Sequence, residues 1–305
     1  MPDAAKTTYK HRRKQGLFGT LGIVLALALW FGGWVYKAKT QRNLNMQLLG
    51  AVRNDDAETA RLLLAQGADP NIHDVPEEQL SLWQQIRHAF HKDSQSPNDP
   101  PETVLEMAMS LGGNDADTVN VALIKTLLEA GARPNDCSGD HITPMMVAVQ
   151  FDSPQAVQML LDHGANPLAK DDFGRLPIHC LYFDDPDALK IAEMLVKRGE
   201  DINATNDSGR TALLQSSILG NIHMLRFFIA HGAKIDVVDN DDNTPLIDCL
   251  RSTLFSERTD IVKFLIAHGA DVNHCNKVGE TALSLAKSLK YKQSIRLLEA
   301  AGAKQ

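Results

Sequence analysis

Short amphipathic segments recur in pairs along most of the chain, with polar stretches between them. In the clearest example, apolar runs at 211–214 and 224–229 flank the polar pair Gly220-Asn221, and Gly232 follows the second run. Apolar residues spaced by about 3.6 positions are typical of a helix that buries one face. The pattern therefore predicts a helix, a tight turn, a second helix and a glycine, whose missing Cβ permits a left-handed cap.

This pattern returns with a period near 33 residues. We number the predicted units one to seven by their cap glycines, which are Gly67, Gly131, Gly164, Gly199, Gly232, Gly269 and Gly302. Alanine follows each cap glycine except Gly199, which precedes Glu200. A fixed period of this length predicts stacked units, because no single unit can bury its own apolar face.

The first helix of a unit opens with a common motif, 12 residues after the preceding cap glycine in five cases. The openings read Thr143-Pro144-Met145-Met146, Leu176-Pro177-Ile178-His179, Thr211-Ala212-Leu213-Leu214, Thr244-Pro245-Leu246-Ile247 and Thr281-Ala282-Leu283-Ser284. Proline at the first helical position loses no hydrogen bond, and a preceding threonine caps the helix. These strings resemble the T-P-L-H-x-A opening of the ankyrin repeat. The resemblance implies an all-α solenoid of about seven helix-turn-helix units with β-turn loops, over residues 44–303.

Three further features of the units lead to predictions: the apolar doublets before the cap glycines, the last unit and a loop aspartate. An apolar doublet precedes most cap glycines, such as Phe228-Ile229, and these doublets should form one continuous core. In the last unit the doublet reads Leu298-Glu299, as expected for a terminal unit with a solvated outer face. Asp242 replaces the loop glycine of other units and should adopt the left-handed conformation that the turn requires.

Residues 17–36 are 20 uncharged and mostly apolar positions, the length that one membrane-spanning helix needs. Trp30, Trp34 and Tyr36 cluster at its C-terminal end, as aromatic residues do at a membrane interface. A cleaved signal peptide is the alternative, but the apolar run is long for one and no clean small-x-small site follows it. The sequence therefore predicts an uncleaved transmembrane helix before the repeats.

The charges around this segment predict its orientation. Five basic residues precede it and three follow it, and residues 1–42 carry a net charge of +7. Because positive flanks resist translocation, we expect a cytoplasmic tail (1–16), a signal-anchor helix (17–36), a linker (37–43) and an extracytoplasmic repeat domain (44–303), periplasmic if the source is Gram-negative. The four cysteines are too far apart to pair and fit a reducing compartment slightly better, so the opposite orientation stays open.

Beyond residue 42 the chain is acidic, with 23 basic and 37 acidic residues. A surface of this charge disfavours phosphate, so we expect no nucleic acid partner. It favours a basic protein partner, which the opposite charge would steer towards the repeats. Alternatively, the acidity serves only to keep a long surface soluble.

An insert at about 75–100 separates units one and two. The 36 residues from Gly67 to the opener Thr103 exceed the usual 12 by 24. Its first part predicts an amphipathic helix with Trp83 on the apolar face. This helix would cover units one and two, dock a partner or lie in the membrane interface, and the sequence leaves all three open.

No motif for catalysis or cofactor binding stands out. The chain has no phosphate-binding glycine loop, no H-E-x-x-H and no C-x-x-C, so we expect no enzyme, no cofactor, no metal site and no small-molecule substrate. The pair His88 and His91 lacks a third ligand, and the loop 239–243 lacks the ligand spacing of a calcium loop. Three histidines that precede cap glycines should complement negative helix ends: His163, His231 and His268.

The resemblance places partner contacts on the concave face that first helices and loop tips form. The matching residues are Lys170, Asp171, Asp172, Phe173, Asn206, Asp207, Asn240, Asp241, Asn276 and Lys277, with Trp83 of the insert added. Phe173 is the large apolar residue among these tips and the predicted hot spot, unless it packs on the adjacent loop. The sequence thus predicts a membrane-tethered, non-catalytic adaptor, and the alternative is an inhibitor that blocks a basic toxin enzyme at the membrane.

Overall fold

The computed structural model describes residues 37, 39–72, 103–110, 119–137, 139–252 and 258–304. The predicted anchor at 17–36 and the predicted insert at about 75–100, with Trp83, His88 and His91, lie outside these residues. Among the helices that the structure does describe, none is long and apolar enough to cross a membrane.

The described residues form pairs of antiparallel helices, which confirms the all-α class and the solenoid. Their one β feature is an isolated bridge between Cys275 and Thr281. The helices are α1 (residues 39–53), α2 (Ala57–Ala65), α3 (Val104–Ser110), α4 (Val121–Glu129), α5 (Pro144–Gln150), α6 (Pro154–Asp162), α7 (Pro186–Lys197), α8 (Ala212–Leu219), α9 (Ile222–Ala230), α10 (Pro245–Arg251), α11 (Thr259–Ala267), α12 (Ala282–Ser288) and α13 (Lys292–Ala300).

The helix pairs stack into two layers. First helices contact first helices of the next unit, as α8 contacts α10 and α10 contacts α12, and second helices contact second helices, as α4 contacts α6 and α11 contacts α13. The predicted doublets lie between them, with Phe228, Leu160 and Leu265 fully buried, and belong to one continuous core. Glu299 in the last unit is exposed, as the sequence predicts for a terminal face.

The predicted caps form at both ends of the helices. The hydroxyl oxygens of Thr143, Thr211 and Thr244 each accept the backbone N–H three residues later, at 3.3 Å. Gly232 has a φ of 90°, and Asp242, at the place of a loop glycine, has a φ of 59°. Both are left-handed, so the turn with aspartate survives as predicted.

Unit four, from Leu176 to Gly199, departs from the predicted pattern. Its first element is a 3₁₀ helix at Pro177–Cys180, not an α-helix, so the expectation of two helices in every unit is wrong here. The chain turns extended at Leu181, with a ψ of 96°. One reason is spacing: α7 begins 10 residues after the opener, compared with 11 for α6, α9 and α13. The carbonyl oxygens of Tyr182 and Phe183 accept the Asn221 side-chain amide of unit five at 3.0 and 3.2 Å.

A second departure in unit four compensates for the first. Leu176 has no hydroxyl with which to cap, and the Glu200 carboxylate instead accepts the Ile178 backbone N–H at 3.1 Å. Glu200 is buried where the other units have alanine. The two unusual residues Leu176 and Glu200 are therefore linked: Glu200 supplies a hydrogen bond at the start of the helix, where Leu176 cannot.

An asparagine ladder joins the outer loops of successive units, a feature that the sequence analysis missed. The Asn135 side chain donates to the Gly164 carbonyl at 3.0 Å and accepts the Asn166 N–H at 2.7 Å, and Asn71, Asn203 and Asn273 repeat this pairing with the next unit. All four lie four residues after a cap glycine. Leu168 occupies that position after Gly164, so unit four also lacks the ladder bond to its predecessor.

Side chains of α1 cap the N-terminal end of the solenoid. Gln41 on α1 donates to the Gly67 carbonyl at 2.7 Å, and Asn45 accepts the Asp69 N–H at 2.9 Å. These two side chains supply the bonds that an asparagine of a preceding unit would make. Residues 39–43 are thus helical and bonded to unit one, so most of the predicted linker 37–43 is part of α1 and not an extended spacer.

Candidate partner-binding surface

The loops between units form a continuous row of turns along one edge of the solenoid. Each tip donates a backbone N–H to the tip before it: Asp172 to Asp140 at 3.0 Å, Asp207 to Phe173 at 3.0 Å, Asn240 to Ser208 at 2.9 Å and Lys277 to Asp241 at 3.1 Å. The row is therefore a rigid surface and not a set of independent loops.

A recurring Asp or Asn, five residues before the opener, folds each of these turns. Its side-chain oxygen accepts the backbone N–H groups two and four residues later, as Asp171 does from Phe173 at 3.0 Å and from Arg175 at 2.8 Å. Asn206, Asp239 and Asn276 repeat these two bonds. Asp171 and Asn276 are buried, so three residues predicted to contact a partner, Asp171, Asn206 and Asn276, organise the turns.

The other predicted contact residues that the structure describes lie on the exposed side of the row. They are Lys170, Asp172, Phe173, Asp207, Asn240, Asp241 and Lys277. Their role in binding stays a prediction, as does that of Trp83. Phe173 leaves 53% of its surface exposed, so it does not bury itself on the neighbouring loop. Its ring contacts the Arg175 guanidinium, whose central carbon lies 5.1 Å from the ring centre.

A recess of about 310 Å³ opens beside Phe173 on the inner face, between units four and five. It lies where the 3₁₀ helix of unit four replaces a full first helix. Unit four and the loop before it line the recess with Phe173, Arg175, His179 and Tyr182, and unit five and its preceding loop add Arg210 and Gln215. Sequence reasoning missed this recess, because it expected a full first helix in unit four where the structure has a short 3₁₀ helix.

Ion pairs fix the two arginines of the recess. Arg175 Nε donates to the buried Asp171 carboxylate at 2.5 Å, and Arg210 Nη2 lies 3.4 Å from Asp239 Oδ2. Burial is the largest influence on Arg175 and opposes its charge, but the hydrogen bond to Asp171 and the negative charge of its neighbours together outweigh burial and raise the pKa of Arg175. For Asp239, burial is likewise outweighed by hydrogen bonds from Asn243 and Asp241 and by the charge of Arg210, which lower its pKa.

His179, at the floor of the recess, is held in one neutral tautomer. Its Nδ1 accepts the Leu176 N–H at 3.0 Å, so the proton lies on Nε2, which donates to the Ala204 carbonyl at 3.0 Å. Burial lowers the pKa of His179, in keeping with the neutral form. His179 therefore braces the 3₁₀ helix against the loop of unit five.

The remaining histidines on helix ends act as the sequence predicts. Nδ1 of His163, His231 and His268 each contacts the carbonyl oxygen four residues earlier at 2.8 Å. Such a bond satisfies a carbonyl that the helix end leaves open. Within the described ranges, no group of three or more His, Cys, Asp or Glu side chains is placed to hold a metal ion.

Comparison with known proteins agrees with this architecture. The family model for ankyrin repeats matches in three copies, at residues 48–171, 107–206 and 184–274. A crystal structure of an ankyrin repeat domain from Acinetobacter baumannii AYE is similar at a TM-score of 0.54 and 31% identity, over 66% of this chain and 98% of that one.

Curated relatives share the repeats but differ in length. The ankyrin repeat protein YahD of Escherichia coli (strain K12) is 28% identical over 59% of this chain and 90% of its own length. The intracellular phospholipase A2 of Caenorhabditis elegans is 31% identical over 62% of this chain, yet the match covers only 18% of that enzyme. This chain covers 40%, 18% and 13% of the lengths of three curated relatives, of which the phospholipase is one. The similarity to them is therefore limited to the repeats, and their activities are not assigned to this chain. Because the family model spans most of the solenoid, this chain belongs to the ankyrin repeat family.

Proposed function

We propose that the chain is a non-catalytic, membrane-tethered adaptor that holds one protein partner on its loop row, between units four and five. Ankyrin repeats form protein–protein interaction modules, and the proposal adds the tether and the place of contact. The observation that carries it is Phe173, an exposed aromatic ring of the loop row at the mouth of a recess. Aromatic and arginine side chains around a pocket are typical of interface hot spots.

Partner capture with Phe173→Ala tests this proposal. The full-length chain, extracted in mild detergent, should retain a partner protein that the variant loses at least tenfold, because a hot spot contributes about 2 kcal/mol or more. Leu62→Ala is the matched control, since Leu62 lies on the outer helix α2 and is 51% exposed. Equal capture by wild type and Phe173→Ala, or loss with Leu62→Ala alone, contradicts the proposed surface.

The second candidate is an inhibitor of a basic toxin enzyme. Three exposed aspartates of the loop row favour this candidate: Asp172, Asp207 and Asp241. Such a complex should be of nanomolar affinity and weaken strongly with salt, because its attraction is electrostatic. An adaptor contact centred on Phe173 and the recess should instead lose little affinity between low and physiological salt.

We further propose that residues 17–36 anchor the chain and that the repeats face away from the cytoplasm. The support is the excess of positive charge before the span, with Lys10, Arg12, Arg13 and Lys14 within seven residues of Leu17. Because α1 extends back at least to residue 39, the repeats should lie close to the membrane surface.

Protease access to the repeats in intact spheroplasts measures this orientation. Wild-type repeats should be cut from outside, and replacing Arg12, Arg13 and Lys14 with asparagine should invert or scramble the orientation. Lys287→Asn, which changes a charge in the last unit, should leave access unchanged. Wild-type repeats that are protected until lysis would show a cytoplasmic domain.

A further inference from the structure

The recess between units four and five is a built feature of the inner face. Its volume of about 310 Å³ is at the lower end of the range for ligand pockets, about 300–1,000 Å³. It therefore has room for one or two side chains of a peptide and not for a large cofactor. The extended segment at Leu181 and Tyr182 creates this space, and Asn221 of unit five holds that segment in place.

Two guanidinium groups at the recess retain hydrogen-bond donors for a ligand. Arg175 uses Nε on Asp171 and makes a long contact of 3.5 Å from Nη1 to the Tyr182 hydroxyl. Arg210 makes one long side-chain contact of 3.4 Å, from Nη2 to Asp239. Within the described residues, Nη2 of Arg175 and Nε and Nη1 of Arg210 make no hydrogen bond to protein. Each guanidinium has five donors in a planar fork that matches a carboxylate.

The carboxylates beside these arginines already serve the fold. Oδ1 of Asp171 accepts two backbone N–H groups, and Oδ1 of Asp239 accepts two more as well as the Asn243 side chain. They hold the arginines in position, while the remaining donors of both arginines make no hydrogen bond to the part of the protein that the structure describes. A ligand carboxylate would supply charge-assisted hydrogen bonds to those donors.

Three loop tips next to the recess carry exposed carboxylates, on a row that also contains Lys170 and Lys277. Asp172 and Asp207 flank Phe173 and are exposed, and Asp241 follows on the next tip. A wholly acidic ligand would be repelled there, whereas basic residues on both sides of a carboxylate would pair with these tips. The exposed ring of Phe173 adds an apolar contact between the two zones.

We infer that the recess binds a carboxylate side chain of an extended partner segment whose neighbouring residues are basic. This inference rests on the proposed adaptor function and names the chemistry of its contact. Arg175 and Arg210 bind the carboxylate, Phe173 packs on the adjacent apolar residue, and the aspartates of the tips bind the flanking lysines or arginines. Selection of this mixed-charge pattern gives an acidic domain specificity beyond general attraction to basic proteins.

Fluorescence anisotropy with paired peptides tests the inference on the full-length chain in mild detergent. One labelled heptapeptide carries a central glutamate between two leucines, with two lysines at each end, and its twin carries glutamine at the centre. The glutamate peptide should bind about tenfold more tightly, the ratio for one charge-assisted hydrogen bond pair. Arg175→Gln and Arg210→Gln should each bring the ratio close to one.

Arg296→Gln on the exposed face of α13 is the matched control and should preserve the tenfold ratio. If Arg175→Gln loses its helical circular dichroism signal, Arg210→Gln decides, because among the described residues the Arg210 side chain makes one hydrogen bond, and that bond is long. A third peptide with central lysine should bind Arg210→Glu more tightly than it binds wild type.

Equal binding of the glutamate and glutamine peptides to wild type, or a ratio that survives both arginine variants, overturns the inference. The proposed function fails by a different result, namely partner capture that does not depend on Phe173. A lost peptide ratio with intact Phe173-dependent capture would therefore reject the recess chemistry and keep the adaptor surface.

Discussion

Replacing Glu200 with glutamine should leave stability nearly unchanged at pH 5 and increase it by roughly 3–5 kcal/mol at pH 9. Burial raises the pKa of Glu200 to about 8, although the hydrogen bond from the Ile178 N–H opposes the shift. In the described part of the chain, Oε1 of this side chain has no hydrogen-bond partner. The ionised form is therefore costly in the folded state.

The direction of the pH effect follows from this raised pKa. The unfolded chain releases the Glu200 proton near its ordinary pKa of 4.5, whereas the folded chain keeps it to about 8. The contribution of neutral Glu200 to the stability of the fold is fully present below the lower pKa and is lost as pH rises through the higher pKa. Glutamine keeps an acceptor oxygen for Ile178 but cannot ionise, so the variant lacks this loss.

Urea denaturation of the full-length chain, followed by circular dichroism at pH 5 and pH 9, measures the effect. Other buried acids such as Asp248, whose pKa burial raises to about 6, titrate in both proteins, so the difference between them isolates Glu200. Glu200→Ala should also remove this pH dependence, at the cost of the Ile178 hydrogen bond. If the unfolding free energies of wild type and Glu200→Gln depend on pH in the same way, ionisation of Glu200 does not destabilise the folded chain and the prediction is wrong.

Phe228→Ala should destabilise the solenoid by about 3–5 kcal/mol, the usual cost of removing a buried aromatic ring. Phe228 on α9 is fully buried and packs edge to face against Phe227, with ring centres 5.7 Å apart. The cavity left behind would separate units that are stable only through their contacts with neighbours.

Phe173→Ala is the matched control, since it makes the same chemical change at an exposed tip. Its unfolding free energy should stay within about 0.5 kcal/mol of wild type. Urea midpoints of the two variants give the comparison. The two residues are thus expected to have different roles: Phe228 stabilises the fold, and Phe173 contacts the proposed partner. Similar losses of stability in both variants would contradict the placement of Phe173 on the surface.

The repetitive part of the fold could be predicted from the sequence because its signals are local. The cap glycines, the threonine and proline at helix starts and the histidines at helix ends each act within four residues of their partners. Asp242 kept the left-handed turn for the same reason, because its own backbone sets the conformation. Local rules applied in register leave few alternatives for each unit.

Unit four could not be predicted because its exception depends on residues far apart in sequence. Pro177-Ile178-His179 reads like the other openings, and two small differences set the unit apart: Leu176 replaces threonine, and one residue is missing before α7. The cap that replaces the absent threonine hydroxyl comes from Glu200, 22 residues after Ile178. Glu200 was visible as a departure from alanine, but its partner depends on packing.

The candidate site was predictable only in part. The structure places the tips that the sequence singled out side by side, and Phe173 among them is exposed, while their role in binding stays a prediction. The period also contained a signal that was misinterpreted: Asp171, Asn206 and Asn276 share one position relative to the openers, which indicates a repeated turn-forming role. Arg175 and Arg210 also share one position, one residue before the openers Leu176 and Thr211, so the sequence places them side by side in neighbouring units. The recess beside them depends on the short 3₁₀ helix of unit four, which no local pattern identified.

Site-specific photocrosslinking in the native membrane tests the central claim most directly. A photoreactive amino acid at position 173 is compared with one at position 62, because Phe173 on a loop tip and Leu62 on helix α2 are equally exposed, at 53% and 51%. The adaptor surface predicts that position 173 crosslinks one protein partner, identified by mass spectrometry, and that position 62 does not. Crosslinks to a partner from position 62 and none from position 173 would contradict it.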